Sequence, residues 1–286
     1  MADAAVACPN CGLTGTRKNG LGRCGQQLYQ CRACRRRFTT LTGTPFSGYR
    51  FPPDVIALAV RWYLRFRLSY ADVAELLAER GVRVDSSTVY DWVREFTPLY
   101  AAAARSFRRQ VGGCWSVDET YVKVAGAWAY VYRAKVAGAW AYVYRAIDGQ
   151  GQVVDVYVSD QRATDDAAAF FRRAIEATGV VPDAVTTDRA AAYPPALAAV
   201  LPVVVHEVGK RVQQRIERDH QHLKGRLRPT RGFKTLSGAR VLCAGHAFVR
   251  NLRGGYYDCG RPVAAAAARP PLMQAWDTLT GALLAR

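Results

Sequence analysis

Apolar residues recur at intervals of three and four along residues 52–97, which is the spacing of one buried face of an α-helix. Gly81 is placed to end a second helix of this block, and Pro98 is placed to follow the end of a third. The predicted helices lie near 54–66, 70–79 and 87–96. The pattern therefore predicts a three-helix unit.

Three helices in this order match a helix-turn-helix unit, in which the last helix enters the major groove of DNA. On that interpretation, the exposed face of the third helix carries side chains that contact DNA. These are Ser86, Ser87, Tyr90, Asp91 and Arg94. The alternative is a plain three-helix packing module that has no DNA contact.

Strand-like alternation replaces the helical pattern after residue 111. Over residues 114–208 the order is strand, strand, strand, helix, strand, helix, which predicts a mixed sheet with helices packed on it. The first strand is predicted at 114–124, the third at 152–159, the following helix at 164–178, and the next strand at 181–188.

A long amphipathic helix is predicted after residue 209, in the stretch GKRVQQRIERDHQHLKGRLRP. Its apolar face is predicted to bury Val212, Ile216, Leu223 and Leu227. Its other face is predicted to carry Gln213, Glu217, His220, Gln221, Lys224 and Arg228. One carboxylate would then stand among amide and basic groups on the polar side of this helix.

The twelve residues KVAGAWAYVYRA occur twice in direct succession, at 123–134 and 135–146. Two units do not form a solenoid, which needs at least three. Because twelve is an even number, the alternation of side chains along a strand survives the insertion. Either copy could supply the second strand of the sheet, and the other would form an extra hairpin or a loop.

Five of the eight cysteines are clustered near the N-terminus, from Cys8 to Cys34. Four of them form the pairs Cys8-x-x-Cys11 and Cys31-x-x-Cys34, and two such pairs complete a tetrahedral Zn²⁺ site. The sequence therefore predicts a structural zinc ribbon, in which Cys24 fits a ligand position less well. Four arginines around the second pair would face phosphate if the ribbon touches DNA, and solvent if it does not. They are Arg32, Arg35, Arg36 and Arg37.

Basic charge is concentrated at both ends of the chain. Residues 1–110 carry a net charge of +9, residues 111–208 carry −3 and residues 209–286 carry +11, for a total of +17. An acidic centre between basic flanks suits a protein that binds a polyanion, although a generally basic protein is the alternative. The chain has no secretory signal and no apolar run long enough to span a membrane, so we expect a cytoplasmic, nucleoid-associated protein without a membrane partner.

Three acidic residues are candidates for chemistry. Asp118 lies within a strand, Asp188 ends a strand and Glu217 lies on the amphipathic helix. A carboxylate in a strand of the core is costly unless something binds it, and three carboxylates could clamp two Mg²⁺ ions for phosphoryl transfer. The same pattern allows a capping or pairing role for Asp118 and a surface salt bridge for Glu217.

Several strings of the chain resemble transposases of the insertion-sequence-six (IS-six) family, in the wider aspartate-aspartate-glutamate (DDE) group. They span roughly residues 54–258 and occur in the family's order. The strings are RWYLRFRLSYADVAELLAERGVRVDSSTVYDWV, VDETYVKV, WAYVYRAIDGQGQVVDVYVS, TTDRAAAYPPAL, RIERDHQHLKGRLRPTRGFKT and GHAFVRNLRGGYYD. The resemblance implies an α/β, ribonuclease-H-like catalytic domain that cuts and joins DNA during transposition.

The resemblance also implies roles for single residues. Asp118 of the DET string, Asp188 of TTDRA and Glu217 of ERDH would form a catalytic triad that holds Mg²⁺ or Mn²⁺. Lys224, on the same helix as Glu217, would contact DNA near the scissile phosphate. Further DNA contacts are expected from Arg215, His220 and Arg228. The partners would be double-stranded DNA, at transposon ends and target, and further copies of the chain in a homodimer or larger assembly.

The chain departs from the family in three respects. The hairpin after the first aspartate is doubled, the interval between Asp188 and Glu217 is short for the wider group, and the four-cysteine ribbon is not universal. Because twelve extra residues could displace Asp118, a catalytically inactive DNA-binding relic is one alternative. An integrase or nuclease of the same fold is another.

Four segments are expected along the chain. They are a zinc ribbon at 1–48, a helix-turn-helix domain at 49–110, the catalytic domain at 111–258 with the repeat at 123–146, and a tail at 259–286.

Overall fold

The computed structural model describes residues 6–22, 25–124, 139–209, 214–227, 233–259 and 272–285. The side chains at positions 139–140, 214–215, 217–218 and 227 lie outside this description. Four residues named above also lie outside the described part of the chain: Cys24, Val212, Gln213 and Arg228.

The N-terminal segment forms a three-stranded antiparallel sheet in the order β1-β2-β3. Its strands are β1 (Thr16–Leu21), β2 (Gln27–Cys31) and β3 (Arg37–Phe38). Cys8, Cys31 and Phe38 form its small buried cluster, which is separate from the other two hydrophobic clusters. So little apolar burial stabilises a short segment weakly, which is why such ribbons usually need a metal.

The three predicted helices are present as α1 (Pro53–Arg65), α2 (Tyr70–Ala78) and α3 (Ser86–Ala104). Ser69 and Asp72 form a reciprocal capping box at the start of α2, and the Asp85 carboxylate accepts a hydrogen bond from the Ser87 backbone at the start of α3. These local signals explain why the predicted starting points agree with the structure.

The predicted end of the third helix was wrong, because Pro98 lies inside α3. A proline in a helix interior removes one backbone hydrogen bond and costs about 3 kcal/mol. Here the apolar stripe of Trp92 and Phe96 continues through Tyr100 and Ala104, all of them buried. The burial of these later residues offsets the loss at the exposed Pro98.

The part of the chain predicted to be catalytic, residues 111–258 (here called the catalytic segment), holds a five-stranded mixed sheet in the order β6-β5-β4-β7-β8. The β6, β5 and β4 strands are antiparallel, and β7 and β8 run parallel to β4. The strands are β4 (Cys114–Val124), β5 (Ala139–Asp148), β6 (Val153–Ser159), β7 (Ala184–Thr187) and β8 (Val205–Val208). β7 is shorter than predicted, and the largely exposed β8 carries no alternating pattern that could have predicted it.

Helices cover both faces of this sheet. α4 (Thr164–Thr178) and α5 (Tyr193–Val200) pack on one face, while α6 (Gln214–Leu227) and α7 (Leu236–Gly254) lie on the other. The strand order and the two helical layers confirm the predicted ribonuclease-H-like α/β fold.

The three-helix unit shares a hydrophobic core with the catalytic segment. Residues of α1, α3 and α7 pack with one face of the sheet in a single buried cluster. A further helix, α8 (Leu272–Leu284), joins that cluster through Trp276, whose ring contacts Tyr100 and Phe248. The sequence did not predict α8, which lies in the expected tail.

The second copy of the repeat supplies β5, whereas the first copy contributes Lys123 and Val124 to the end of β4. The two strands pair without a shift from Trp115↔Asp148 to Val124↔Ala139. The duplication therefore leaves the hydrogen-bonding register beside Asp118 uninterrupted.

Candidate active site

Asp118 and Asp188 come from adjacent parallel strands. Ser116 of β4 is level with Thr186 of β7, so the same register carried two residues further brings Asp118 level with Asp188, just beyond the end of β7. Asp118 is 7% exposed, and the backbone N–H of Ala190 donates to the Asp188 Oδ1 at 2.9 Å. The structure thus brings together two of the three predicted catalytic carboxylates.

Glu119 is a third carboxylate at this site, and it was not among the predicted catalytic residues. It lies on the opposite face of β4, as strand alternation predicts. There its carboxylate accepts a hydrogen bond from the Tyr193 hydroxyl and forms an ion pair with Arg162. Its position directly after Asp118 in the DET string was the available signal.

Carboxylate oxygens of Asp118, Glu119 and Asp188 all lie within 4.8 Å of one another. Arg162 offsets the charge of Glu119, and the repulsion that remains among the three carboxylates would be relieved by a bound cation. Carboxylate oxygens are the ligands that Mg²⁺ and Mn²⁺ prefer. The residues present therefore fit a divalent cation at the end of β7.

α6 lies beside Asp118, on the face of the sheet that also packs against α7. Ile216 and Leu223 are fully buried, as predicted, and the exposed Gln221 and Lys224 are on the solvent side. The prediction that His220 lies on the polar face was wrong, because His220 is 2% exposed and shares the buried face. His220 is buried because it has a polar partner in the core: its Nδ1 lies 3.5 Å from the Asp118 Oδ2.

His220 is neutral at physiological pH. Burial, followed by the nearby Arg145, lowers the pKa of His220 to about 4. A neutral ring can support Asp118 without adding a positive charge. The role of His220 as a DNA contact stays a prediction, and in this structure its ring lies against a carboxylate.

Two other predicted residues of α6 lie on either side of His220. Glu217 is about one turn earlier, and its side chain lies outside the described residues. Lys224 is one turn later, with its Nζ 5.2 Å from the centre of the Tyr121 ring on β4. Lys224 thus lies beside β4, and Glu217 stays a predicted ligand on the helix that brings His220 to Asp118.

A buried ion network lies under the acidic cluster. Arg145 of β5, paired with Asp118 in the strand register, is 0% exposed and forms an ion pair with Asp219 of α6. Arg250 of α7 forms a second ion pair with Asp219. Burial raises the pKa of Asp219, but the two guanidinium groups outweigh it and lower the pKa below its ordinary value. This network joins α6 to the sheet and to α7.

The four predicted zinc ligands also meet. The Sγ atoms of Cys8, Cys11, Cys31 and Cys34 all lie within 4.8 Å of one another. Cys8 and Cys34 are 3.6 Å apart, and Cys11 and Cys31 are 3.5 Å apart. Sulfurs bound tetrahedrally at about 2.3 Å from zinc would be about 3.8 Å apart, so the cluster fits that metal. A hydrogen bond from the Arg36 backbone lowers the pKa of Cys34 to about 6. In Cys11 a hydrogen bond from the Leu13 backbone acts in the same direction, but the hydrogen bond with Cys31 and burial outweigh it and raise the pKa to about 11.

The predicted DNA contacts of the N-terminal half lie mostly at the surface. The four ribbon arginines are exposed, and the Arg36 Nη1 donates to the Asn10 Oδ1 at 2.6 Å. Ser87 and Arg94 are exposed on α3, where the Arg94 Nη1 donates to the Tyr90 hydroxyl at 3.2 Å. The Arg215 side chain and all of Arg228 lie outside the described residues, so their predicted roles are not tested by the structure. DNA recognition by these residues stays a prediction.

A ribonuclease-H-like sheet with carboxylates gathered at the ends of adjacent strands defines the class of DDE enzymes. Residues 135–256 match a protein-family profile described as a DDE domain. The chain is 38% identical over 200 residues to the transposase for insertion sequence-like element IS431mec of Staphylococcus aureus, which covers 68% of this chain and 82% of that protein. It is 37% identical, with the same coverage, to the transposase for insertion sequence element IS257 in transposon Tn4003 of Staphylococcus aureus. The chain belongs to the IS-six family of DDE transposases.

Among solved structures, the catalytic core domain of BIV integrase is similar with a TM-score of 0.35 and 18% identity, covering 50% of this chain and 84% of that one. None of the helices in the described part of the chain combines the length and apolar character that a membrane crossing requires.

Proposed function

We propose that this transposase binds the inverted repeats at the ends of its element, cleaves one DNA strand there and joins the freed 3′ end to target DNA. The convergence of Asp118, Glu119 and Asp188 within 4.8 Å carries the proposal. Bound Mg²⁺ or Mn²⁺ would supply the Lewis-acid chemistry that activates a nucleophile and stabilises the leaving oxygen.

The residues around the cluster would have different roles. Asp118 and Asp188 would hold the cation from the sheet, with Glu119 beside them, and Glu217 would do so from α6. Neutral His220 keeps Asp118 in place without competing for its charge. Lys224 is exposed beside Tyr121, so its ammonium group can bind a phosphate next to the scissile bond.

The inactive-relic alternative depended on a displaced Asp118. Two observations support an active enzyme instead. The register between β4 and β5 runs unshifted past Asp118, and its carboxylate lies with that of Asp188. In the sequence, the residues between the paired positions Val124 and Ala139 begin seven positions after Asp118.

The N-terminal half would select the DNA. We propose that Zn²⁺ bound by the four cysteines holds the ribbon together, that Arg35, Arg36 and Arg37 contact phosphates, and that α3 reads the major groove with Ser87, Tyr90 and Arg94. Arg215 and Arg228 would add contacts near the catalytic site, whereas the buried His220 would act on Asp118 and not on DNA. Two transposon ends have to be held together, so the active form is a homodimer or a larger assembly on DNA. With chromosomal DNA as substrate, the protein acts in the cytoplasm at the nucleoid.

The Asp188→Asn variant tests this function. It removes one carboxylate charge from the cation site with little change of shape, so strand joining in Mg²⁺ falls by a factor on the order of 10³ or more. Binding to a fluorescent duplex of the inverted repeat stays nearly unchanged. The matched control is Asp183→Asn, which removes an exposed carboxylate outside the cluster and keeps full joining. Retained joining by Asp188→Asn, or loss of joining and binding together, would contradict the role assigned to Asp188.

A further inference from the structure

A basic cleft lies between the three-helix unit and the catalytic segment. It encloses about 500 Å³ and is walled by the end of α1 and the residues after it, the C-terminal half of α6, and α7. Its charged lining consists of Arg65, Arg67, Arg226, Arg250 and Arg253, with His222 at its side. We call this feature the arginine cleft.

No acidic residue is found among the described residues that line the arginine cleft. Arg250 forms an ion pair with Asp219, which is also paired with Arg145 and does not line the cleft. Arg226 is fixed by a hydrogen bond from its Nε to the Leu64 carbonyl at 3.3 Å, and its guanidinium lies 5.3 Å from the centre of the Tyr63 ring. These contacts hold two arginines in place without cancelling the positive charge of the cleft.

The like charges in the cleft affect one another. Burial, followed by Arg65 and Arg67, lowers the pKa of Arg226 to about 10, although Tyr63 opposes this effect. Burial, followed by Arg65 and Arg250, lowers the pKa of Arg253. An anion bound among these groups would relieve their repulsion.

Arg67 and Arg253 are exposed and form no ion pair within the part of the chain that the structure describes. The Arg67 Nη2 lies 3.0 Å from the position that a Cβ atom at Gly225 would take. Glycine at this position therefore lets the guanidinium of Arg67 lie directly against α6. Planar guanidinium groups bind phosphate oxygens in pairs, which makes a phosphate the fitting ligand.

We infer that the arginine cleft binds the phosphate backbone of the same DNA that enters the acidic site. The inference rests on the proposed function. Along α6, Arg226 follows Glu217 by two and a half turns, which is about 13 Å of helix. At ~3.4 Å per nucleotide along a strand, the cleft meets the backbone about four nucleotides from the scissile phosphate. Because the three-helix unit and the catalytic segment both line the cleft, DNA bound there touches both.

The test compares the double variant Arg67→Gln/Arg253→Gln with wild type in the full-length protein. Binding to a fluorescent duplex of random sequence, about three helical turns long, is measured by anisotropy at several NaCl concentrations. Each lost phosphate contact lowers the slope of log affinity against log salt by about one, so the slope falls by about two and affinity at about 0.1 M salt falls roughly tenfold or more. The control Arg109→Gln/Arg172→Gln removes two exposed arginines outside the cleft and keeps the wild-type slope.

Equal slopes for the two double variants would overturn the inference. A second result would also overturn it: the cleft variant binds DNA as wild type does, and calorimetry shows saturable binding of inorganic pyrophosphate to wild type. The cleft would then be a site for a small free anion. A failure of the proposed function would give a different experimental result. In that case the wild type itself fails to join DNA in Mg²⁺, whatever the slopes are.

Discussion

At the scale of single residues, the core around α6 depends on charge pairing. Asp219 is 1% exposed and Arg145 is 0% exposed, and each is the other's counterion. Removing both charges from water is costly, and a pair of this kind is strongly destabilising to break because it leaves one buried charge without compensation.

Asp219→Asn is therefore expected to lower the free energy of unfolding by about 3 kcal/mol or more. Urea unfolding followed by circular dichroism measures it. Asp258→Asn is the matched control, because it breaks the exposed ion pair with Arg109 and costs less than about 1 kcal/mol. Similar losses in the two variants would show that the buried network contributes no more than a surface pair.

The same residues show where local patterns stop being informative. A polar residue in an amphipathic helix is assigned to solvent, and this placed His220 on the wrong face. The counterpart of His220 is Asp118, which lies far earlier in the chain, and that of Asp219 is Arg145. No helical periodicity within α6 carries information about either partner.

At the scale of elements, the doubled repeat tests how the sheet tolerates an insertion. β4 and β5 remain paired up to Val124 and Ala139, and residues 125–138 connect them. Removing one twelve-residue copy leaves an Ala-Gly pair between these two paired positions. Two-residue loops are the commonest hairpin connections, so the same register can close.

We expect the variant that lacks residues 135–146 to retain the joining activity of the full chain within about threefold, because Asp118 keeps its strand partners. Strand joining in Mg²⁺ on inverted-repeat DNA measures this, with Asp188→Asn in the shortened chain as the inactive control. Activity only in the shortened chain would favour the inactive-relic interpretation of the natural protein.

At the scale of the whole molecule, two regions are stabilised by different means. The three-helix unit, α7, α8 and one face of the sheet share one hydrophobic cluster. The ribbon has only its own small cluster around Cys8, Cys31 and Phe38. We therefore expect the ribbon to depend on its metal and the rest of the fold to be independent of it.

Chelation of zinc is expected to increase hydrogen–deuterium exchange throughout residues 6–38 and to leave exchange in β4–β7 unchanged. Cys11→Ser gives the same result without a chelator, while the control Cys114→Ser, an exposed thiol outside the cluster, changes neither region. Exchange rising over the whole chain would show that the ribbon and the shared core unfold together.

The sequence by itself determined most of the helices and strands and named the candidate site residues. Helical and strand periodicity, caps and cysteine spacing act within a few residues, so α1, α2, α4, β4 and the four-cysteine ribbon could be predicted from local pattern. The tertiary structure decided which side chains meet. The register between β4 and β7 places Asp118 beside Asp188, Arg162 and Tyr193 hold Glu119 in the cluster, and Arg145 anchors α6. These contacts join residues that lie far apart in the chain. Buried polar groups in folded proteins are stabilised by hydrogen bonds or ion pairs, and only the tertiary structure decides which residue is the partner.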